Sequence, residues 1–410
     1  LYHDLIIVGG GASGIIAAIT AHDMGADVAL VEGGDRIGKK ILATGNGRCN
    51  ITNENCEDFR YHSANPGFFR HILSEFTYKD TKNFFSSIGL PLITLEDGKL
   101  FPMSLQASSV LDILRMALEE RSIPIYLNSK VTEVNCKNNV FTLYTNSKDN
   151  FECKRIILAC GGKSAASTGS DGSGFEIGRK FGHTLIAPVP ALVQMKLDYK
   201  NIKALSGIKF EGSAEIYVDN VSKRKEFGEI LFTDYGISGP PILQLSRIAS
   251  RSSINGDDVK LSVDFMPAVS HSSLEELLES KWGMFAERSI HDSFIGIINK
   301  KLIPILIKEA GITNIHEPCY MLQWNEKRTI YSLLKSWQFR VTGTNPFKDS
   351  QVTSGGINTK EVNSETLESK LIPGLYFSGE ILDVDADCGG FNLQWAWSSG
   401  FAAAKNACLK

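Results

Sequence analysis

Gly9, Gly11 and Gly14 fill the fixed positions of a G-x-G-x-x-G run, and Glu32 stands 18 residues beyond the last of them. That pattern is suited to holding a dinucleotide. Gly9 would make a tight turn, Gly11 would let backbone approach a pyrophosphate, and Gly14 would let a helix pack closely on a strand. The N–H groups of Ala12 and Ser13, at the positive end of that helix, would face the phosphates. The Glu32 carboxylate would accept hydrogen bonds from ribose hydroxyls. Other reactive side chains fit less well to a known chemistry. Cys49 and Cys56 are too far apart for the C-x-x-x-x-C of disulfide reductases, and the remaining cysteines show no C-x-x-C pair or Cys/His cluster, so no metal is expected. Asp383, Asp385 and Asp387 alternate without the further ligands of a calcium loop. They read as acids flanking an active site, with Asp385 the candidate to handle a proton.

The elements around the glycines support the dinucleotide reading. Asp4 to Val8 is an apolar run of buried-strand type ending in three glycines, and the small and aliphatic residues from Ser13 onward suit a helix closing at Gly25. Asp27 to Val31 reads as a second buried strand ending at Glu32. Strand, glycine turn, helix, strand and acid in register make a βαβ dinucleotide unit. Val131 to Val134, Val140 to Thr145 and Phe151 to Leu158 read as a small meander, and Arg155 to Leu158 runs into Ala159 and Gly161 as a buried strand ending where backbone can approach a cofactor. A later strand ends in Gly379-Glu380, and a helix begins near Gly390. The glycine-rich stretch from Gly169 to Gly178 follows no apolar strand and is expected to cap a helix from Phe175 to Phe181. With a single dinucleotide fingerprint, any second dinucleotide would have to visit the site transiently.

Composition narrows the class. Forty-three basic and 46 acidic side chains leave a formal charge of −3, and 43% hydrophobic with 22% charged residues excludes a disordered or collagen-like chain. The balance lacks the basic excess that nucleic acid demands. No uninterrupted apolar stretch is long enough to span a membrane, and the first residues lack the basic start of a signal peptide, so a cytoplasmic protein with a small-molecule substrate is expected. The oligomeric state is not readable.

The run Glu32, Arg36, Gly38 has the form E-x-x-x-R-x-G and resembles the ribose and pyrophosphate loop of two-dinucleotide-binding-domain flavoproteins. The resemblance puts Gly33, Arg36, Lys39 and Lys40 along the phosphates and Val131 near the adenine. It also puts Glu380, where Asp is usual, at the ribityl chain, and Gly390, Phe391, Asn392, Leu393 and Gln394 at the flavin pyrimidine. Ala43 to Asn50, Phe232 to Pro240, Val352 to Ile357 and Gly389 to Trp397 together resemble the bacterial NAD(P)/FAD-dependent oxidoreductase family that includes aminoacetone oxidase and a proposed 3-dehydro-bile-acid reductase. That resemblance implies an α/β fold: a two-dinucleotide-binding-type FAD Rossmann domain over 1–190 and 346–410, with an insert at 191–345. The insert would combine a β-barrel (191–265 and 337–345) with helices (266–336). FAD would be held non-covalently. Thr44, Gly45, Gly47, Arg48, Cys49 and Asn50 would pass along it, Asn50 bonding ring edges. Arg48 would stabilise an anionic reduced ring, hold a substrate carboxylate, or sit in a structural ion pair. Three activities fit: reduction of an enone-like acceptor, such as a steroid or bile acid, at the expense of NAD(P)H; oxidation of an aminoacetone-like amine by oxygen; or non-catalytic flavin binding.

Overall fold

The computed structural model describes residues 1–147 and 149–409. By internal contacts the chain forms two compact units, Leu1–Val189 with Ser350–Lys410, and Pro190–Asp349. Among the described residues no helix is long and apolar enough to cross a membrane.

In the first unit the βαβ element consists of strand β1 (Tyr2–Val8), helix α1 (Ala12–Asp23) and strand β2 (Val28–Val31). The two strands pair in parallel, and their aliphatic ends are buried on both faces, as a covered parallel sheet requires. Strand Asn150–Leu158 pairs in parallel with β1 on one edge and with Leu375–Phe377 on the other. Its first half also pairs antiparallel with Val140–Thr145, which in turn pairs with Val131–Lys137. One nine-residue strand thus joins the expected meander to the Rossmann sheet. Helix Phe391–Cys408 packs along α1, and Gly400 makes that approach possible: a Cβ there would lie 2.3 Å from the carbonyl oxygen of Ser13.

In the second unit six antiparallel strands close into a barrel, in the order Met195–Asp198, Gly236–Ser238, Val221–Phe232, Lys209–Val218, Val259–Asp264, Trp337–Thr344. Ile216, Ile230, Phe232, Leu261 and Phe339 are buried in this unit's core. Ala214 to Val218 and Glu229 to Phe232 are parts of 10- and 12-residue strands that pair as one long hairpin, which continues through the charged run Lys223 to Glu226. Ser238 ends a strand, and Gly239 is the N-cap of helix Pro240–Asn255 and makes no side-chain cap bond. Helical spacing over 274 to 310 resolves into His271–Met284, a single turn at Ile290–Ser293, and Ile303–Glu309. Pro304 does not break a helix but starts one, where its missing N–H costs nothing. The last helix runs Trp324–Ser336. Trp282 and Phe294 are buried core residues, as their spacing suggests.

Candidate active site

The glycines of the fingerprint divide by what surrounds them. A Cβ on Gly9 would sit 2.5 Å from the Ala159 carbonyl oxygen, and one on Gly14 would sit 1.9 Å from the Gly9 oxygen. These two permit close packing of the turn against strand and helix. Gly11 differs, since nothing lies within 4 Å of the position its Cβ would take. It is the N-cap of α1, whose first turn carries no side-chain cap and no acid, so the Ala12 and Ser13 end of the helix offers its N–H groups to open space. Glu32 is fixed beside this gap: its Oε2 accepts from Gly10 N at 2.7 Å and its Oε1 from Gly34 N at 2.6 Å. Each carboxylate oxygen keeps a lone pair for a ribose hydroxyl. Lys130, next to Val131, lies against Gly33 and pairs with Asp171 at 2.5 Å. The neighbouring Asp171 Oδ1 accepts from Ser173 N at 3.0 Å, so this loop does start the helix that follows it, Ser173–Lys180.

The second half of the chain closes on the first. Gly379, at φ +75°, has its vacant Cβ position 2.6 Å from Ser13 Oγ, which brings the second motif against the first turn of α1. Gly161 stands beside Ser170, whose Oγ is buried without a hydrogen-bond partner. Gly390, at φ +98°, is the N-cap of the long helix, which likewise carries no side-chain cap and no acid in its first turn. Asn50 Oδ1 lies 2.9 Å from where a Gly390 Cβ would be and is buried with no partner. A lone acceptor beside a helix's free N–H groups matches the pyrimidine edge of a flavin, which presents one N–H donor between carbonyl acceptors. Around Asn50 the backbone is strained, with Gly45, Asn46, Gly47 and Cys49 all left-handed, a concentration found where structure is spent on a site.

Several expected contacts are committed elsewhere. Lys39 pairs with Asp35 and Lys40 Nζ lies 2.6 Å from Glu380 Oε2, so each ammonium already spends one of its three donors on a carboxylate; Arg36 is exposed. Glu380 Oε1 accepts from Thr353 N at 2.7 Å, leaving this acid tied at both oxygens. Gln394 is wholly buried: its Oε1 accepts from Thr52 and Thr81, and its Nε2 donates to the Phe76 carbonyl and to Ser398. Its amide has no bond left for a cofactor. Asn392 clamps the backbone of Ala386 and Asp387, Phe391 packs edge-on to Tyr61, and Leu393 is half-buried against the core. Asp385 is 2% exposed and accepts from Ser354 Oγ at 2.7 Å; Asp383 accepts from Ala64 N, and Asp387 from His62 and Arg60. The three acids pin loops together instead of lining an open face. Thr44 is bonded to the Ile41 carbonyl, and Arg48 is exposed over the Phe101 ring at 5.2 Å, not in an ion pair. Ser170 is the group that sequence reasoning missed; its loop's glycine content was the signal, but read only as a helix cap.

The Cys49 thiol is fully buried. Burial pushes it up to about 11, against some help to the thiolate from Thr44, and burial likewise raises Cys153 to about 12 and moves Cys56 upward. All eight cysteines are free. An unfolded thiol ionises near 9 while the native Cys49 and Cys153 keep their protons. The unfolded state therefore binds fewer protons above that pH, and stability present in full below pH 9 falls as pH climbs toward 11. Urea melts are expected to show a lower midpoint at alkaline pH, with a shallower pH dependence in a Cys49→Ser variant.

A profile of the HI0933-like protein Rossmann domain matches residues 3–406. The chain is 39% identical over 403 residues to the 3-dehydro-bile acid delta(4,6)-reductase of Clostridium scindens, covering 98% of both. It is 31% identical over 409 residues to the ribosomal RNA dihydrouridine synthase of Haemophilus influenzae, again covering 98% of both. Among solved structures, 3-ketosteroid delta1-dehydrogenase from Sterolibacterium denitrificans aligns over 100% of this chain and 99% of its own at a TM-score of 0.51 and 13% identity, a likeness of fold.

Proposed function

Because the chain belongs to the HI0933-like Rossmann family and is a flavin-dependent oxidoreductase, we propose that it uses FAD, reduced by NAD(P)H, to saturate a carbon–carbon double bond conjugated to a carbonyl in a small, steroid-like molecule. What carries the reading is the chemistry that the names of two full-length relatives share. One names a 3-oxo compound with double bonds at positions 4 and 6; the other names the formation of dihydrouridine. Both describe removal of an alkene conjugated to a carbonyl, since the 5,6 bond of uracil is conjugated to its C4 oxygen. Such an alkene takes hydride at its far carbon and a proton at its near one, while the carbonyl oxygen carries the intervening negative charge. Bound FAD would supply the hydride.

The chain's own residues then bind and orient. The open space at Gly11 and the N–H groups of Ala12 and Ser13 take the pyrophosphate, and Glu32 takes the adenosine ribose. Asn50 Oδ1 and the first turn of Phe391–Cys408 take the pyrimidine edge. Arg48, exposed and stacked on Phe101, anchors a carboxylate of the substrate. A small molecule is favoured over RNA by the higher identity to the bile-acid enzyme and by a net charge of −3, which offers no counterion release to drive polyanion binding.

The test is anaerobic. Purified yellow protein is titrated with NADPH and NADH, then with a 3-oxo-4-ene bile acid. Bleaching by a nicotinamide followed by return of the yellow absorbance under argon is the expected result. Return only with a uridine-containing rRNA fragment would move the substrate to RNA. Bleaching by aminoacetone, with peroxide on admitting air, would replace the reductase with an oxidase, and no response to any donor would leave a flavin-binding module.

A further inference from the structure

The helices of the second unit expose five large apolar side chains where two segments meet. Met284, 71% exposed, ends helix His271–Met284 and is followed by Phe285, 40% exposed. Tyr320 and Met321 are 60% and 47% exposed, and Trp324, at 63%, opens helix Trp324–Ser336. Backbone bonds from Tyr320 N to the Ala286 oxygen and from Cys319 N to the Arg288 oxygen join the two segments. Inside, the core is already complete: Trp282 is buried and stacked on Tyr331. The outward aromatics lie outside that core, and their exposed surface costs solubility. The Arg288 guanidinium lies over the Phe285 ring at 4.2 Å, adding the side-chain type that accompanies Trp, Tyr and Met in interface centres.

We propose that this face docks a second copy of the chain. Taking about 200 Å² for each large side chain, the exposed fractions leave roughly 550 Å² uncovered, so a two-fold pairing would bury about 1,100 Å² in total from these residues alone. That clears the roughly 1,000 Å² expected of a specific interface. The rim is suited to self-pairing. Along the chain the patch is flanked by Lys281, Arg288, Lys327 and Arg328 and by Glu287, Glu317 and Glu326, so both signs are present. An isologous contact can set acids of one copy against bases of the other, whereas nucleic acid or an anionic membrane surface would need an excess of bases. The inference is independent of the reaction catalysed.

Sedimentation velocity on the flavin-loaded full chain, from low to high micromolar, tests it. The expected result is a concentration-dependent dimer that Trp324→Glu and Tyr320→Glu each weaken at least about tenfold, as loss of an interface anchor does. Flavin content would stay unchanged, as would the melting temperature at concentrations where wild type is monomeric, and Trp324→Phe would retain the dimer. Amide exchange over 318–326 should slow as wild-type concentration rises. A monomer at every concentration, a dimer indifferent to both glutamates, or a monomer that floats with zwitterionic lipid vesicles would each overturn the proposal.

Discussion

Gly11→Asp is expected to give a colourless protein that folds as the wild type does. The position is extended backbone at φ −80°, and the added side chain meets no protein atom within 4 Å of its Cβ. The folded chain alone has no reason to reject it. The cofactor does, because the new carboxylate would point into the space assigned to the pyrophosphate. Two like charges about 4 Å apart at an effective dielectric near 20 repel by about 4 kcal/mol, or about a thousandfold in affinity. Flavin absorbance per mole of purified protein should fall to background while the circular dichroism spectrum and urea midpoint of the apoprotein match those of stripped wild type. Gly14→Ala gives the contrast. Its Cβ would sit 1.9 Å from a backbone oxygen, so that variant should lose stability whether or not flavin is present. A Gly11→Asp protein that stays yellow would remove the assigned site.

Gln394→Ala is expected to have the opposite profile, a large loss of stability with flavin affinity per folded molecule retained. Four hydrogen bonds converge on this one buried amide, from Thr52 and Thr81 and to Phe76 and Ser398. Each is worth about 1 kcal/mol net, and the stranded threonine hydroxyls and the cavity add to the cost, for a total of about 3 to 5 kcal/mol. Against a typical total of about 5 to 15 kcal/mol, that is a large fraction. Urea unfolding measures the first part and fluorescence titration of the apoprotein with FAD the second. Near-native stability with weakened flavin binding would return Gln394 to the cofactor.

The two predictions diverge for the same reason that parts of the site were legible in sequence and parts were not. The turn and helix start around Gly9, Gly11 and Gly14, and the strand that ends at Glu32, are readable because local sterics shape a thirty-residue βαβ unit. The buried strands are readable because unbroken aliphatic runs have few other uses. The side-chain partners of Lys40 and Gln394 are not readable because they are distant in the chain: Lys40 meets Glu380 across 340 positions, and Thr52 meets Gln394 across 342. No residue type announces such a partner. A lysine near phosphate-binding glycines and a lysine neutralised by a remote glutamate look alike in a sequence. Pro304 shows the same limit locally, since proline starts helices as readily as it ends them.

The contact between Gly400 and Ser13 has a consequence for synthesis. The glycine turn before α1 leaves the ribosome long before the helix that packs on it, and Gly379, which abuts the same serine, emerges almost as late. Until then α1 lacks its main neighbour, and strand Asn150–Leu158 lacks its parallel partner Leu375–Phe377. A nascent chain can therefore fold the barrel unit, whose residues are contiguous, while the other unit, split in sequence, is still incomplete. Cofactor loading would then be a late event in the life of each molecule, and ribosome-stalled chains ending before residue 379 should carry no flavin at all.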